Sequence, residues 1–342
     1  MHIRPATEKD RQSWDAYVWD HPGAVAYHQF AWGQAVKKAY GFEPVYLLAD
    51  IDGKITGVLP LVRLKIPFLG SHLVSLPYCD LGGALVDDEP TRAALTDFAV
   101  AMAIAQGDKQ LELRESSTAQ AETATNKVRM VLPLPKSADA LMAGFKAKLR
   151  SQVKKPLKDG LTAELGGEEL LNNFYDVLAI NMRDLGSPVH SRKWFAEIVE
   201  QYKDNARVGL VRSPEGRAIA AGIILLHKGA VSIPWASTLR QYNRVNPNML
   251  LYWTFLAYAA DNGYAVFDFG RSTPEEGTYK FKQQWGAEPV SLCWRDLLKS
   301  DRQHDQTQSV STLRTVVEKL WVRFPLPVAT GLGSRIRPYI SL

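Results

Sequence analysis

The chain has 342 residues, 46% of them hydrophobic, enough for one large core or two ordinary ones of about 100–200 residues each. Charged residues make up 23% and aromatic residues are spread along the whole length, which excludes a disordered chain. The net charge of +5, with an isoelectric point of about 9.0, favours anionic partners such as phosphates, acidic lipids or RNA without selecting among them.

The first residues, MHIRPATEKDRQSW, are charged and do not read as a signal peptide. The most apolar internal stretch, Ala218 to Trp235, is interrupted by His227 and Lys228 and falls short of a span of about 20 apolar residues. Cys79 and Cys293 stand in no CxxC or Cys/His cluster, so neither a disulfide framework nor a metal site is expected. A reducing, cytoplasmic compartment is the natural expectation.

In chain order, PVYLLADIDGKITGVLPLVRLK predicts a hairpin turning on Asp52 and Gly53. Strand-like LVSLPYC follows, then a helix from about Thr91 to Gln106 and a closing strand, LELRES. The order then repeats. ARVGLVRSPEGRAIAAGIILLHKG turns at Pro214 to Gly216, and AVSIPWAS, a helix from Pro247 to Asn262 and VFDFGRS come after it. Hairpin, strand, helix, strand, twice, argues for duplication of one α/β unit. The closing strands align Glu112 with Asp268, and period-two alternation turns each carboxylate away from its apolar neighbours.

Between the copies, LMAGFKAKLRSQVKKPLKDGL spaces Lys146, Arg150, Lys154 and Lys158 by four, one cationic stripe on a helix that Pro156 is expected to end or kink. Such a stripe is either a solvated face or a surface for phosphate groups, including those of a transfer RNA. The expected domains are residues 1–135 and 136–300, followed by a basic tail, 301–342. The tail opens with polar SDRQHDQTQS and continues as LRTVVEKLWVRFPLPVATGLGSRIRPYI, either packed on the body or touching a membrane surface.

There is no HExxH, no complete P-loop or GxGxxG, and no GxSxG elbow, so hydrolase and nucleoside-triphosphatase readings lose ground. The most distinctive run is FDFGRSTPEEGTYKFKQQWGAEP, residues 267–289. Asp268, Gly270 and Arg271 stand at a strand end, and the following loop delivers Tyr279, Lys280 and Lys282 beside apolar Phe281 and Trp285, a pattern suited to an anion. His28 precedes Trp32 at helical spacing and reads as a core or capping histidine.

This run resembles the FDFGRS…GTYxFKxxWG signature of FemAB-related proteins, particularly the group that accompanies PEP-CTERM and exosortase systems in exopolysaccharide loci. HPGAVAYHQFAWGQAVKKAYGFEPVYLLA, KLRSQVKKPLKDGL, NMRDLGSPVHSRKWF and WVRFPLPVATGLG agree with it in order. The resemblance implies tandem duplicated GNAT-like α/β (α+β) domains with mixed sheets. It also implies an N-acyltransferase that moves an acyl or aminoacyl group onto an amine of a cell-envelope or exopolysaccharide precursor. The donor would be acyl-CoA or aminoacyl-tRNA, with no permanently bound cofactor.

Carried onto this sequence, the FK lysine is Lys282, a candidate for phosphate or developing charge. Lys37, after the aromatic anchor Trp32, and Arg192, in the RDLGSPVxSR region, are candidates for holding a phosphorylated acceptor. Asp268 is a candidate general base or else a structural cap on the next loop. GNAT enzymes hold the pyrophosphate of acyl-CoA on a Gly-rich turn at a helix N-terminus; the counterpart here, LRQYNRVNPNML, offers Arg240, Arg244 and Asn248 but no glycine. Two further departures are TPEEG where the group has a basic residue, and the absence of a heptad run of the kind larger Fem proteins use near tRNA. The alternatives are a degenerate, non-catalytic module that binds a polysaccharide or lipid-linked sugar, and an RNA-binding protein. In the tail, Arg314, Lys319, Trp321, Arg323 and Phe324 are expected to visit anionic membranes.

Overall fold

The computed structural model describes residues 1–116, 124–299 and 312–341. The stretch SDRQHDQTQS and the side chain of Arg314 lie outside the described residues. The chain forms two compact units: Met1–Arg129 with Val290–Thr307 and Tyr339–Leu342, and Met130–Pro289 with Gln308–Pro338.

In the first unit the hairpin Leu47–Ile51 and Lys54–Leu59 turns on Asp52 (φ 52) and Gly53 (φ 79), the left-handed pair that a two-residue hairpin needs. His2–Pro5 and Leu85–Val86 complete a four-stranded sheet. Pro60 then interrupts the chain, and Val62–Ile66 joins a second sheet, pairing with Gly70–Val74. The helix Glu89–Ala105 crosses over to Gln110–Ser116, which lies parallel to Gly70–Val74. That helix starts where the Asp88 carboxylate accepts from Thr91 N at 2.7 Å, and it buries Leu95, Ala99 and Ala103, spaced by four, against Leu59, Leu73 and Leu111.

The second unit repeats the order in one sheet. Thr162–Gly166, Ala206–Arg212, Ala218–His227 and Ala230–Thr238 form an antiparallel meander, and Val266–Ser272 adds in parallel after the helix Pro247–Asp261. Every residue of Ala218–His227 after the first is buried, with helices Leu171–Asp184 and Pro247–Asp261 packed against it. The apolar run is therefore a strand covered on both faces. Phe255 of the latter helix packs so tightly that a Cβ on Gly209 would lie 2.5 Å from its ring, and one on Gly222 would lie 2.9 Å away. Among the described residues no helix is long and apolar enough to cross a membrane.

The two closing strands meet their partners in matching register: Val74 pairs with Glu112, and Ser232 with Asp268, each at the end of its parallel ladder. Two local expectations fail. LVSLPYC is a strand only to Val74, after which Leu76 (φ 67) and Tyr78 (φ 69) turn the chain. The helix Ala147–Lys158 continues through Pro156, third from its end, where a missing N–H removes a single bond. Lys146 is the extended, exposed residue before that helix, Arg150 is half-buried and folds back to donate to Phe145 O at 2.8 Å, and Lys154 and Lys158 are exposed on the helix itself.

Candidate functional site

In the second unit the parallel ladder between Ala230–Thr238 and Val266–Ser272 runs from Ala230↔Val266 to Ser232↔Asp268 and stops. Immediately afterwards Ile233 and Pro234 stand between the registered pairs Leu225↔Ser232 and Ile223↔Trp235, so two residues oppose Ile224 alone. Proline has no N–H to give a ladder and is tolerated at such a bulge, which bends the strand. The strand runs on to Thr238, and its Ala236, Ser237 and Thr238 line a cavity of about 610 Å³. Further wall comes from Asn181 and Asp184 at the end of the helix Leu171–Asp184, from Tyr252, and from Thr278, Phe281 and Lys282 of the helix Gly277–Gln283.

Lys282 is only 7% exposed. Its Nζ donates to Gly270 O at 3.0 Å and to Arg271 O at 2.8 Å, tying the helix to the end of the closing strand. Gly270 has φ 72, a conformation side chains rarely adopt, and its N–H donates to Asp268 Oδ1 at 2.8 Å. Asp268 is buried and is not on the cavity wall. Tyr252 stacks on Phe269 at 5.6 Å and meets Phe281 edge-on at 4.9 Å. Burial pushes its hydroxyl up to about 12, so near neutral pH it is a neutral phenol with a proton to donate. Asn181 donates to Ser237 Oγ at 3.1 Å, joining the helix and strand walls.

Arg240, at the start of the turn Arg240–Val245, lines the same cavity; Arg244 is exposed and off its wall. Arg271 is half-buried, with its carbonyl on Lys282. Tyr279 is buried, and Lys280 is exposed, 3.9 Å from Glu275. Arg192 lines a separate cavity of about 750 Å³, its guanidinium 4.5 Å over the Tyr175 ring and bonded to Asn172 and Asp176. Lys37 belongs to the first unit and is ion-paired at the surface with Glu43 at 2.9 Å. The fold thus gathers Lys282 and Arg240 at one cavity and leaves Arg192 and Lys37 elsewhere.

Sequence reasoning passed over Tyr252, Asn181 and Asp184. Tyr252 lies inside the apolar run MLLYWTFLAY, where its polar tip carries no pattern. His28 is buried, its Nδ1 accepting from Val25 N at 3.1 Å, a local cap. Burial raises the Cys79 thiol, which removes it as a thiolate nucleophile. Among the described residues no His, Cys, Asp and Glu cluster could hold a metal.

Residues 143–283, which contain this cavity, match the Acetyltransferase (GNAT) domain family. Lipid II:glycine glycyltransferase of Staphylococcus aureus is 19% identical over 389 residues, covering 84% of this chain and 89% of that protein. The crystal structure of FemX is similar with a TM-score of 0.68 at 18% identity, covering 86% of this chain and 97% of that one. A tandem GNAT protein from the clavulanic acid biosynthesis pathway gives a TM-score of 0.54 at 11% identity, over 86% of this chain and 98% of that one. The fold is that of tandem GNAT-like acyl-CoA N-acyltransferase domains with mixed sheets, as the resemblance implied and in keeping with the internal repeat, and the matches support an acyltransferase. They support the Fem side of the resemblance and carry nothing on a PEP-CTERM association.

Proposed function

We propose that the second unit transfers an aminoacyl group to an amine of a lipid-linked cell-envelope or exopolysaccharide precursor, with the Lys282 cavity as its reaction site. The carrying observation is the parting of the two strands at Pro234, which opens a cavity walled by Lys282, Arg240 and Tyr252 inside the segment that matches the acetyltransferase family. An amine attacking an activated carbonyl needs a proton acceptor, oxyanion donors and two held substrates. In this reading Asp184, on the wall, accepts the amine's proton and returns it to the tRNA ribose oxygen, which leaves as the tetrahedral intermediate collapses, and the neutral Tyr252 phenol donates to the oxyanion. Lys282 supplies positive charge while fixing the strand end, Arg240 holds a donor phosphate, and Asp268 acts indirectly by fixing Gly270. An aminoacyl-tRNA donor is favoured over acyl-CoA because the Arg240–Val245 turn has no glycine to let a pyrophosphate approach its backbone, and because the Staphylococcus aureus relative is a glycyltransferase.

The test is single-turnover transfer from radiolabelled glycyl-tRNA, or from acetyl-CoA, to lipid II and to soluble amine acceptors. Lys282→Met and Tyr252→Phe are each expected to lower the rate by about a hundredfold to a thousandfold, the range for losing one group that stabilises the developing charge. Wild-type rates in both variants would remove this site. Tight acceptor binding with no turnover from either donor would favour a non-catalytic module instead.

A further inference from the structure

We propose that the C-terminal helix pair of the second unit is a docking face for an anionic bilayer. The helices are Thr312–Trp321 and Leu326–Ile336. Residue type alone points to Trp321 and Phe324 as membrane anchors, but the fold turns Trp321 inward. It is 7% exposed, beside Phe324 at 5.8 Å and close to Gly333, where a Cβ would come 3.4 Å from its ring and 2.9 Å from Val189 N. Val317 and Leu320 on the first helix and Val328, Leu332 and Ile336 on the second are exposed, by 48%, 51%, 45%, 40% and 45%. The last three are spaced by four, one continuous stripe on one helix. Side chains of that kind on a folded surface mark an interaction site.

Charge selects the occupant. Lys319, Arg323 and Arg335 are exposed on the same two helices and the turn between them, and residues 312–341 hold one acidic residue, Glu318, against five basic ones. A second copy would bring two cationic faces together, whereas an anionic bilayer satisfies both the apolar stripe and its basic flank. The helices have 10 and 11 residues, suited to lying in the interface plane. The face also adjoins the reaction cavity. The Glu318 backbone lies against Gly186, where a Cβ would meet its carbonyl oxygen at 2.9 Å, and the neighbouring Leu185, 63% exposed, lines the Lys282 cavity. That second link rests on the lipid-linked acceptor proposed above, while the docking itself does not.

Co-sedimentation of the full chain with phosphatidylcholine vesicles, with and without phosphatidylglycerol, tests the face. Wild type is expected to bind only the anionic vesicles and to release in high salt. The triple change Val328→Ser, Leu332→Ser, Ile336→Ser is expected to abolish binding. Lys319→Gln, Arg323→Gln and Arg335→Gln should each weaken partitioning about fivefold at low salt. Should the triple change fail to fold, Leu320→Ser alone is expected to weaken binding with an unchanged melting temperature. Absence of wild-type binding, or binding indifferent to all these changes, overturns the proposal. So does a concentration-dependent dimer that the same changes dissolve, because the face would then belong to a second copy. Lys282→Met is expected to bind vesicles as wild type does, and the surface changes to leave transfer to a soluble amine intact, so docking and catalysis fail separately.

Discussion

The two units carry a similar run, Val74-Ser75-Leu76-Pro77 in one and Val231-Ser232-Ile233-Pro234 in the other, offset by one residue against the closing strand, and leave it differently. In the first unit the strand ends and the chain turns through Leu76 and Tyr78 in left-handed backbone, at a cost of order 1–3 kcal/mol each. The turn persists because its carbonyls are taken by buried donors. Arg114 reaches Leu76 O at 3.2 Å and Cys79 O at 2.8 Å, Trp32 reaches Pro77 O at 2.9 Å, and Trp294 reaches Asp80 O at 3.1 Å. Arg114 is itself fully buried, with Nε donating to Glu112 Oε1 at 2.7 Å. In the second unit the residue two beyond the matching carboxylate is Gly270, without a side chain, and the strand bulges and continues beside a cavity. One topological position carries a buried arginine that holds the turn in the first unit and a glycine whose carbonyl holds Lys282 in the second.

The sharpest way to break this contrast is Arg114→Ala. It removes the charged partner of the buried Glu112 carboxylate and uncaps two turn carbonyls, and is expected to lower the unfolding free energy by about 3–5 kcal/mol in urea denaturation. Glu112→Gln combined with Arg114→Met should lose less than the sum of the single changes, since the pair acts as a unit. A loss below about 1 kcal/mol for Arg114→Ala, no more than a single ordinary hydrogen bond contributes, would mean the turn stands without it. Gly270→Ala probes the other side. It imposes about 1–2 kcal/mol of backbone strain at φ 72, and should depress acyl transfer by more than that strain explains, because Gly270 O holds Lys282.

Acid should act next through a buried histidine of the second unit, although burial also lowers His72 of the first. Burial holds the His190 pKa well below its usual value, so the folded second unit keeps it neutral while the unfolded chain protonates it below about pH 6.5. The stability it contributes is present above that pH and is lost as the pH falls, with a slope approaching about 1.4 kcal/mol per pH unit. His190→Phe should flatten melting temperature against pH between about 7 and 5 if the ring is the cause. At the small end, Lys37→Ala breaks an exposed pair with Glu43 and should change stability by less than about 1 kcal/mol.

What could be seen beforehand follows from range. Asp52-Gly53 and the alternating closing strands are local signals, and both hairpins and the Glu112–Asp268 correspondence appear in the ladders. The end of the strand at Val74 was hidden because LVSLPYC has strand composition, and the turn depends on Arg114, Trp32 and Trp294, all distant in sequence. Lys282 stood out through the FK pattern, but its bond to the Gly270 carbonyl exists only once the strands part. In the tail, aromatic size selected Trp321, whereas the packing of Gly333 turns that ring inward and leaves Val328, Leu332 and Ile336 outside.

The most direct measurement of the central contrast is hydrogen exchange with and without a non-hydrolysable glycyl-tRNA analogue, repeated with acetyl-CoA. New protection is expected at residues 236–248 and 277–282, around the Lys282 cavity, with residues 75–83 of the first unit unchanged. Protection confined to the first unit, or no change around the cavity with either donor, would contradict this contrast.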